Sequence, residues 1–291
     1  MNPTSIDKAA ARRAFTRAAG LYDTVAVLQR EIAERMLERL DYIRLEPGRV
    51  LDLGAGTGYA LEALLRRYAR AQVLALDFAE PMLHLAQRRG GWRRRPLCLC
   101  ADAESLPLAS GAVDLVFSNA TLQWCNELEQ TFAECLRVLR PGGLLLFSTF
   151  GPDTLSELRD AWAAVDGDVH VSRFLDMHDI GDALVRARFA DPVMDVERLT
   201  VTYERLADLM RDLKGLGAHN VATGRHRALT GRRRLVALEA AYERFREAGR
   251  LPATYEVVYG LAWVPQQKPL GDGVTIPLEQ LRAGVGRRTG R

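Results

Sequence analysis

A chain of 291 residues, 48% hydrophobic and 26% charged, can bury a full core and has the balance of an ordinary soluble globular protein. No apolar run is long enough to span a bilayer, and the first thirteen residues are polar and alanine-rich rather than built like a secretory signal, so a cytoplasmic protein with no membrane partner is expected. The formal net charge is only +3, but arginine is clustered at Arg93–Arg95, Arg232–Arg234 and Arg287–Arg288, which reads either as solvated surface or as a face that steers an acidic partner.

Residues 7–19 and 23–43 read as helices separated near Gly20-Leu21, and Glu46-Pro47-Gly48 reads as a turn. Strands and helices then alternate: strand 49–53, helix 57–69, strand 72–77, helix 79–89, strands 96–100 and 112–118, helix 126–139 and strand 143–149. That rhythm predicts an α/β fold, a doubly wound and mostly parallel sheet with helices on both faces. Pro141-Gly142-Gly143 is expected to stop the preceding helix and turn the chain into its strand. After Phe150 the pattern becomes helix 153–165, loop 168–175, helix 176–187 and strand 192–203. A long helical stretch with a glycine-rich break covers about 203–248, and strand 253–263 follows. The two late strands, which bring the sheet to seven, are expected to pair antiparallel at its edge. The tail from Val264 is expected to be irregular. Cys98, Cys100, Cys125 and Cys135 form no C-x-x-C pair and stand in apolar contexts, so they read as buried free thiols rather than a metal site or a disulfide framework.

The most informative stretch is Leu51-Asp52-Leu53-Gly54-Ala55-Gly56-Thr57-Gly58, a hydrophobic strand running into alternating glycines and then a helix. Such a turn lets backbone lie against a ligand where a side chain would collide. The dinucleotide fingerprint G-x-G-x-x-G needs its last glycine where Tyr59 stands. Asp52 would also repel a pyrophosphate, which disfavours a nicotinamide oxidoreductase, and it suits a ligand presenting an ammonium or sulfonium. S-adenosylmethionine carries both and no phosphate. Asp77 ends the second strand, near the distance at which doubly wound folds place a ribose-binding acid. Asp102 follows the third strand, and Asn119 and Ala120 close the fourth, at the carboxyl edge where such sheets bind ligands. Any one of these acids alone reads as a helix cap; four matched strand ends together do not.

Over residues 49–149 the chain resembles the Rossmann-like class I S-adenosylmethionine-dependent methyltransferases. The resemblance implies Asp52 and Gly54 near the methionine moiety, Asp77 on the ribose and Asp102 on the adenine. Ala55, Gly56, Gly58, Phe78, Met82, Ala103, Asn119 and Ala120 complete the expected cradle. The run Ser118-Asn119-Ala120-Thr121-Leu122-Gln123-Trp124 lacks the N-P-P-Y-like motif of enzymes that methylate base or glutamine nitrogen. Cys125 follows a tryptophan rather than the proline of cytosine C5 enzymes, and no aromatic–basic interleaving suggests base stacking, so no nucleic-acid partner is expected.

The flanks narrow the resemblance. Ala14-Phe15-Thr16-Arg17-Ala18-Ala19, Tyr22-Asp23 and Leu28-Gln29-Arg30 precede the core. Phe150-Gly151-Pro152-Asp153-Thr154-Leu155, Trp162, His170-Val171-Ser172-Arg173-Phe174, Leu213-Lys214-Gly215-Leu216-Gly217-Ala218 and Pro252-Ala253-Thr254-Tyr255 follow it. Together they look like BioC, the malonyl-acyl carrier protein O-methyltransferases of biotin synthesis. This implies an N-terminal helical lid (1–46) with Tyr22 over the cofactor, a cofactor-binding core (47–150), acceptor-side helical insertions with the last two strands (151–263), and a tail (264–291). The implied substrate is malonyl-acyl carrier protein or malonyl-CoA; a small-molecule methyltransferase for a free dicarboxylic acid or a quinone precursor is the alternative. A carrier protein is small, acidic and helical, and the Arg232–Arg234 run or the cluster around 88–95 would steer it.

A carboxylate of pKa near ~4 is already ionised at neutral pH, so no catalytic acid or base is expected and positioning does the work. A cation must still select the malonyl carboxylate. Arg173 is the first candidate, with Lys214 and His170 behind it. Gln123 and Trp124 are candidates for the acceptor pocket, and His84, His178 and His226 are given no role.

Overall fold

A computed structural model describes residues 5–91, 93–218, 220–221, 223 and 231–266. His226, Arg287-Arg288 and most of the tail lie outside the described residues. The seven strands are β1 (Arg49–Leu53), β2 (Gln72–Asp77), β3 (Leu97–Cys100), β4 (Val113–Ser118), β5 (Leu139–Phe150), β6 (Ala190–Tyr203) and β7 (Leu251–Trp263). They form one sheet in the order β3-β2-β1-β4-β5-β7-β6. The first five are parallel, and β7 runs antiparallel to both β5 and β6.

Period-two alternation along the central strands divides the core. Val50, Leu115, Phe117, Leu144 and Leu146 face one side, against α3 (Val27–Arg39), α4 (Tyr59–Arg67) and α7 (Ser156–Ala163). Leu51, Leu53, Val116, Leu145 and Phe147 face the other, against α6 (Leu128–Val138) and α8 (Met177–Arg186). Strands buried on both faces read as apolar runs, which is why β1, β2 and β4 were legible. Helix α5 (Glu80–Ala86) lies between β2 and β3, with proline in its first turn.

Several boundaries differ from expectation. The helix expected over 23–43 breaks at Ala26, giving α2 (Tyr22–Val25) and α3, because Ala26 leaves the helical region at ψ 40. Pro141-Gly142-Gly143 lies inside β5 rather than before it: β4 advances from Val113 to Leu115 while β5 advances from Leu139 to Leu144, a bulge that absorbs the turn residues. The late strands pair antiparallel at one edge of the sheet, as expected, with β6 outermost and β7 between β5 and β6. The stretch 203–248 resolves into α9 (Leu206–Gly215) and α10 (Arg232–Tyr242), with Tyr203 still in β6. Of the four free cysteines, Cys135 is buried, Cys98 and Cys125 are half-buried, and Cys100 is exposed because β3 is the other edge strand. No helix among the described residues is long and apolar enough to cross a membrane.

The first helix is tied down. Asp7 caps α1 (Lys8–Ala18), accepting from the Ala10 N–H at 2.9 Å. The small residues Ala10, Ala11, Ala14 and Ala18 let α1 pack closely. Ile32, Met36 and Leu40, further on, are fully buried in the main core.

Candidate active site

A cavity of about 1110 Å³ opens at the carboxyl edge of the parallel strands and continues beneath α1, α9 and α10. Pockets for one small ligand run to roughly 300–1,000 Å³, so this space suits two ligands side by side. One end is walled by Gly54, Gly56, Asp77, Phe78, Met82, Asp102, Ala103, Asn119 and Ala120, with Tyr22 across from them. The other end is walled by Phe150, Leu158, Trp162, His170, Ser172, Phe174 and Lys214. Gln123 and Trp124 also line the cavity.

At the first end the glycine turn is locked before any ligand arrives. The N–H groups of Gly54 and Ala55 donate to the Leu76 carbonyl at 2.7 and 2.9 Å. Asp77 accepts from the Gly56 N–H at 2.9 Å and from the Ala79 N–H at 2.8 Å, so it spans the turn and the start of α5. Burial pushes the Asp77 carboxyl up to about 6, against the lowering effect of those backbone donors. Gly54 has φ +75, and a Cβ there would meet the Thr121 hydroxyl at 2.0 Å. Gly56 has φ +54 with open space where its Cβ would stand. Both need glycine, the first for a contact and the second for a left-handed turn facing the cavity.

Asp52 is only 2% exposed, and burial, reinforced by the nearby Asp77 charge, pushes its carboxyl up to about 8. Among the described residues its Oδ2 has no hydrogen-bond partner, and neither does the buried Oε1 of Gln29. Asp52, Ala55 and Gln29 together line a small recess beside the main cavity, which they share with Gly54, Gly56, Tyr22 and Asn119. Two orphaned acceptors facing one recess fit a buried ammonium, the group that the amino-acid moiety of S-adenosylmethionine would present. Gln29 is held there by its backbone, whose carbonyl accepts from Asn119 Nδ2 at 2.9 Å. In the sequence Gln29 stands within a flanking motif, and its signal is a polar residue one step from the buried stripe Leu28, Ile32 and Met36.

Ser148 holds the end of β4. Its Oγ accepts from the Ala120 N–H and donates to Asn119 Oδ1, both at 2.9 Å. Ala120 is left-handed at φ 48 and lines the cavity, as is Leu155 at φ 54. Strained non-glycine residues of this kind concentrate where a site needs a fixed backbone. Asp102 does line the cavity, but Lys8 of α1 already grips both its oxygens at 2.6 and 2.7 Å and also reaches Glu104 at 2.7 Å. Phe15 of α1 packs edge-on against Phe78 and Trp124, with centroids 5.6 and 5.0 Å away. Asp23 of α2 accepts from Thr57 Oγ1 at 2.5 Å and pairs with Arg89. The N-terminal segment is therefore latched over the turn from two sides.

At the second end, His170 stacks on Trp162 with centroids 3.6 Å apart, and its Nε2 is 2.7 Å from Asp166. Asp166, Asp168 and His170 bring their polar atoms within 4.8 Å of one another, and Arg234 stands 3.5 and 3.6 Å from the two carboxylates, so a guanidinium supplies the positive charge there.

Two expected site residues fall elsewhere. Arg173 is exposed and absent from the cavity wall: along the extended loop its neighbours Ser172 and Phe174 face in, which turns Arg173 out. Gly58 lines neither space; at φ +82 it starts α4, and a Cβ there would meet the Ala86 backbone at 2.9 Å, so it serves the α4–α5 approach. His170 and Lys214 do line the cavity, and Arg211, which sequence reading passed over, lines it too.

The methyltransferase-domain family profile matches residues 51–147. A malonyl-[acyl-carrier protein] O-methyltransferase from Methylovorus sp. is 57% identical, over 93% of this chain and 94% of its own. One of the same name from Gallionella capsiferriformans is 52% identical, over 95% and 97%. Among solved structures, the YcgJ protein of Bacillus subtilis superposes with a TM-score of 0.58 at 13% identity, covering 80% of this chain and all of that one. A putative methyltransferase from Bacillus halodurans gives 0.57 at 20% identity, covering 79% and 98%. The solved structures share the fold, and the sequence relatives match this chain over nearly its whole length, flanks included. This chain belongs to the malonyl-[acyl-carrier protein] O-methyltransferase family.

Proposed function

We propose that the protein transfers a methyl group from S-adenosylmethionine to the free carboxylate of malonyl-acyl carrier protein, giving the methyl ester thioester that enters biotin synthesis. The observation that carries this reading is the pair of orphaned buried acceptors, Asp52 and Gln29, opening into a cavity large enough for a second ligand. When bound, the cofactor supplies an electrophilic methyl on a sulfonium.

The residues divide the remaining tasks. Asp52 and Gln29 accept hydrogen bonds from the ammonium beside the turn of Gly54, Ala55 and Gly56. Asp77 has lone pairs left for the two ribose hydroxyls. Phe78, Met82 and Ala103 would hold the adenine, and Asp102, which already accepts from Lys8, would be the acceptor for its amino group. Asn119 and Ala120, fixed by Ser148, set the floor between the two ligands. Tyr22 and Phe15 close the roof and exclude water.

The acceptor carboxylate arrives ionised, so no residue needs to take a proton. Lys214 and His170 bind it, with His170 oriented by Asp166 and Trp162. The cation belongs on the oxygen that does not attack, because the attacking oxygen loses charge in the transition state. Alignment of this kind contributes up to roughly 7–11 kcal/mol. The thioester handle is a carrier protein rather than coenzyme A, a choice supported by the names of the relatives. The test is incubation with labelled S-adenosylmethionine and malonyl carrier protein. Label in a base-labile methyl ester on the carrier is expected; label on free malonate but not on the carrier would overturn the reading.

A further inference from the structure

The cavity meets solvent at a mouth whose composition is one-sided. Of the described residues lining it, only Arg17, Leu21, Arg211, Lys214 and Leu235 are exposed: three cations and two leucines, with no acid. We propose that the part of this mouth formed by Arg17, Leu21, Arg211 and Leu235, extended by Arg232 on α10, is the docking face for the acidic carrier protein, with Lys214 kept for the malonyl carboxylate; the proposal rests on the function given above.

Arg17 and Leu21 stand four residues apart from the end of α1 onward, and Leu21 is 63% exposed. Arg211 and Lys214 stand three apart on the last turns of α9, whose Gly215 lies against Val25 of α2. Leu235, 46% exposed, is on α10, and Arg232 precedes it by three residues, so the two share a helix face. Arg17 and Lys214 have no carboxylate partner among the described residues. Arg211 shares Asp208 with Arg205, at 2.7 and 3.0 Å, which leaves one positive charge uncompensated.

The first turn of α10 adds to this bias. It begins Arg232-Arg233-Arg234 with no acid, at the end of the helix where the macrodipole already disfavours cations. Arg234 is neutralised by Asp166 and Asp168. Arg232 and Arg233 remain at the surface, where an anionic partner would relieve their repulsion. A carrier protein offers what this face asks for: acidic helices for the arginines, and a narrow arm bearing one phosphodiester to pass between Leu21 and Leu235. The buried acids Asp52 and Asp77 belong to the cofactor end and do not offset the mouth. A membrane or a nucleic acid would also favour cations, but neither accounts for a mouth that leads to His170 and Trp162.

The experiment compares kcat and KM on malonyl carrier protein with those on malonyl-N-acetylcysteamine, a thioester with neither carrier nor phosphate. The variants are Arg17→Glu, Arg232→Glu and the two combined, with Arg17→Lys and Arg232→Lys as charge-preserving controls. Direct binding of the unloaded carrier is measured alongside. We expect the double charge reversal to raise KM for the carrier substrate about tenfold or more, to weaken carrier binding to the same degree and to flatten its salt dependence, with kcat and the small thioester little changed. The lysine variants should stay near wild type. Equal losses on both substrates, or unchanged KM and carrier binding in the double variant, would overturn the docking face while leaving the methyl transfer intact. Wild-type protein that esterifies neither thioester would overturn the functional reading itself, and the docking face with it.

Discussion

Asp52 holds a proton that its ligand should displace. Its carboxyl is pushed up to about 8 by burial and by Asp77, so below that pH the free protein keeps it neutral. An ammonium in the recess favours the ionised form and drives the proton off. Binding of the demethylated donor should therefore strengthen from pH 6 to 8 and release a proton, measurable by titration calorimetry in buffers of different ionisation enthalpy. Asp52→Asn should abolish that release and most of the binding. The stability effect has the opposite sign. Because the folded carboxyl holds its proton to higher pH than the unfolded one, the wild-type protein loses stability as pH rises from about 4 to about 8. Asp52→Asn removes this loss, so the variant should melt higher than wild type at pH 8 and nearer to it at pH 5. At the acceptor end, Lys214→Ala should raise KM for the malonyl thioester about tenfold with donor binding unchanged, and Arg173→Ala should do little in the same assay. The strand-end acids were readable because strand ends at the carboxyl edge share one destination. Arg173 misled because its direction depends on the pitch of a loop, which sequence spacing alone does not fix.

At the scale of elements, close approach decides more than propensity. Gly260 of β7 is in register with Phe147 of β5, and a Cβ on it would meet that ring at 2.2 Å. Phe147 is fully buried and backed by Phe132, so it has nowhere to move. Gly260→Ala should cost about 1–3 kcal/mol, read as a lower denaturant midpoint with an unchanged slope. The latch of α1 is a second case. Lys8→Ala frees Asp102 and Glu104 and removes a tie between the first helix and the sheet. Hydrogen exchange over residues 7–18 should speed up, while β1 and β4 stay protected. Parallel strands and their helices were legible because burial on both faces leaves apolar runs. The Pro-Gly-Gly bulge inside β5 was not, since those residues turn a chain equally well before a strand or within one.

Over the whole molecule, the two ends of the cavity have different origins in the chain. The cofactor end comes mostly from Asp52 to Ala120, a short span whose motif can be read as a string. The end proposed for the acceptor gathers Phe150, Trp162, His170, Lys214 and Leu235 from a strand, three helices and a loop, and only the folded chain brings them together. A ligand binding at the first end should stabilise the whole: at a hundred times its Kd, the demethylated donor adds about 2.7 kcal/mol, and a Gly54→Ala protein should show no such thermal shift.

The insertion of β7 between β5 and β6 also orders events in time. During synthesis the ribosome finishes β6 some fifty residues before it releases β7, since β6 ends at Tyr203 and β7 starts at Leu251. Throughout that interval β6 has no neighbour to bond with, and the flank of β5 that β7 will cover is bare. The nascent chain thus carries two unsatisfied strand edges until β7 emerges, and a shortfall of that strand would leave both open to pairing with other chains.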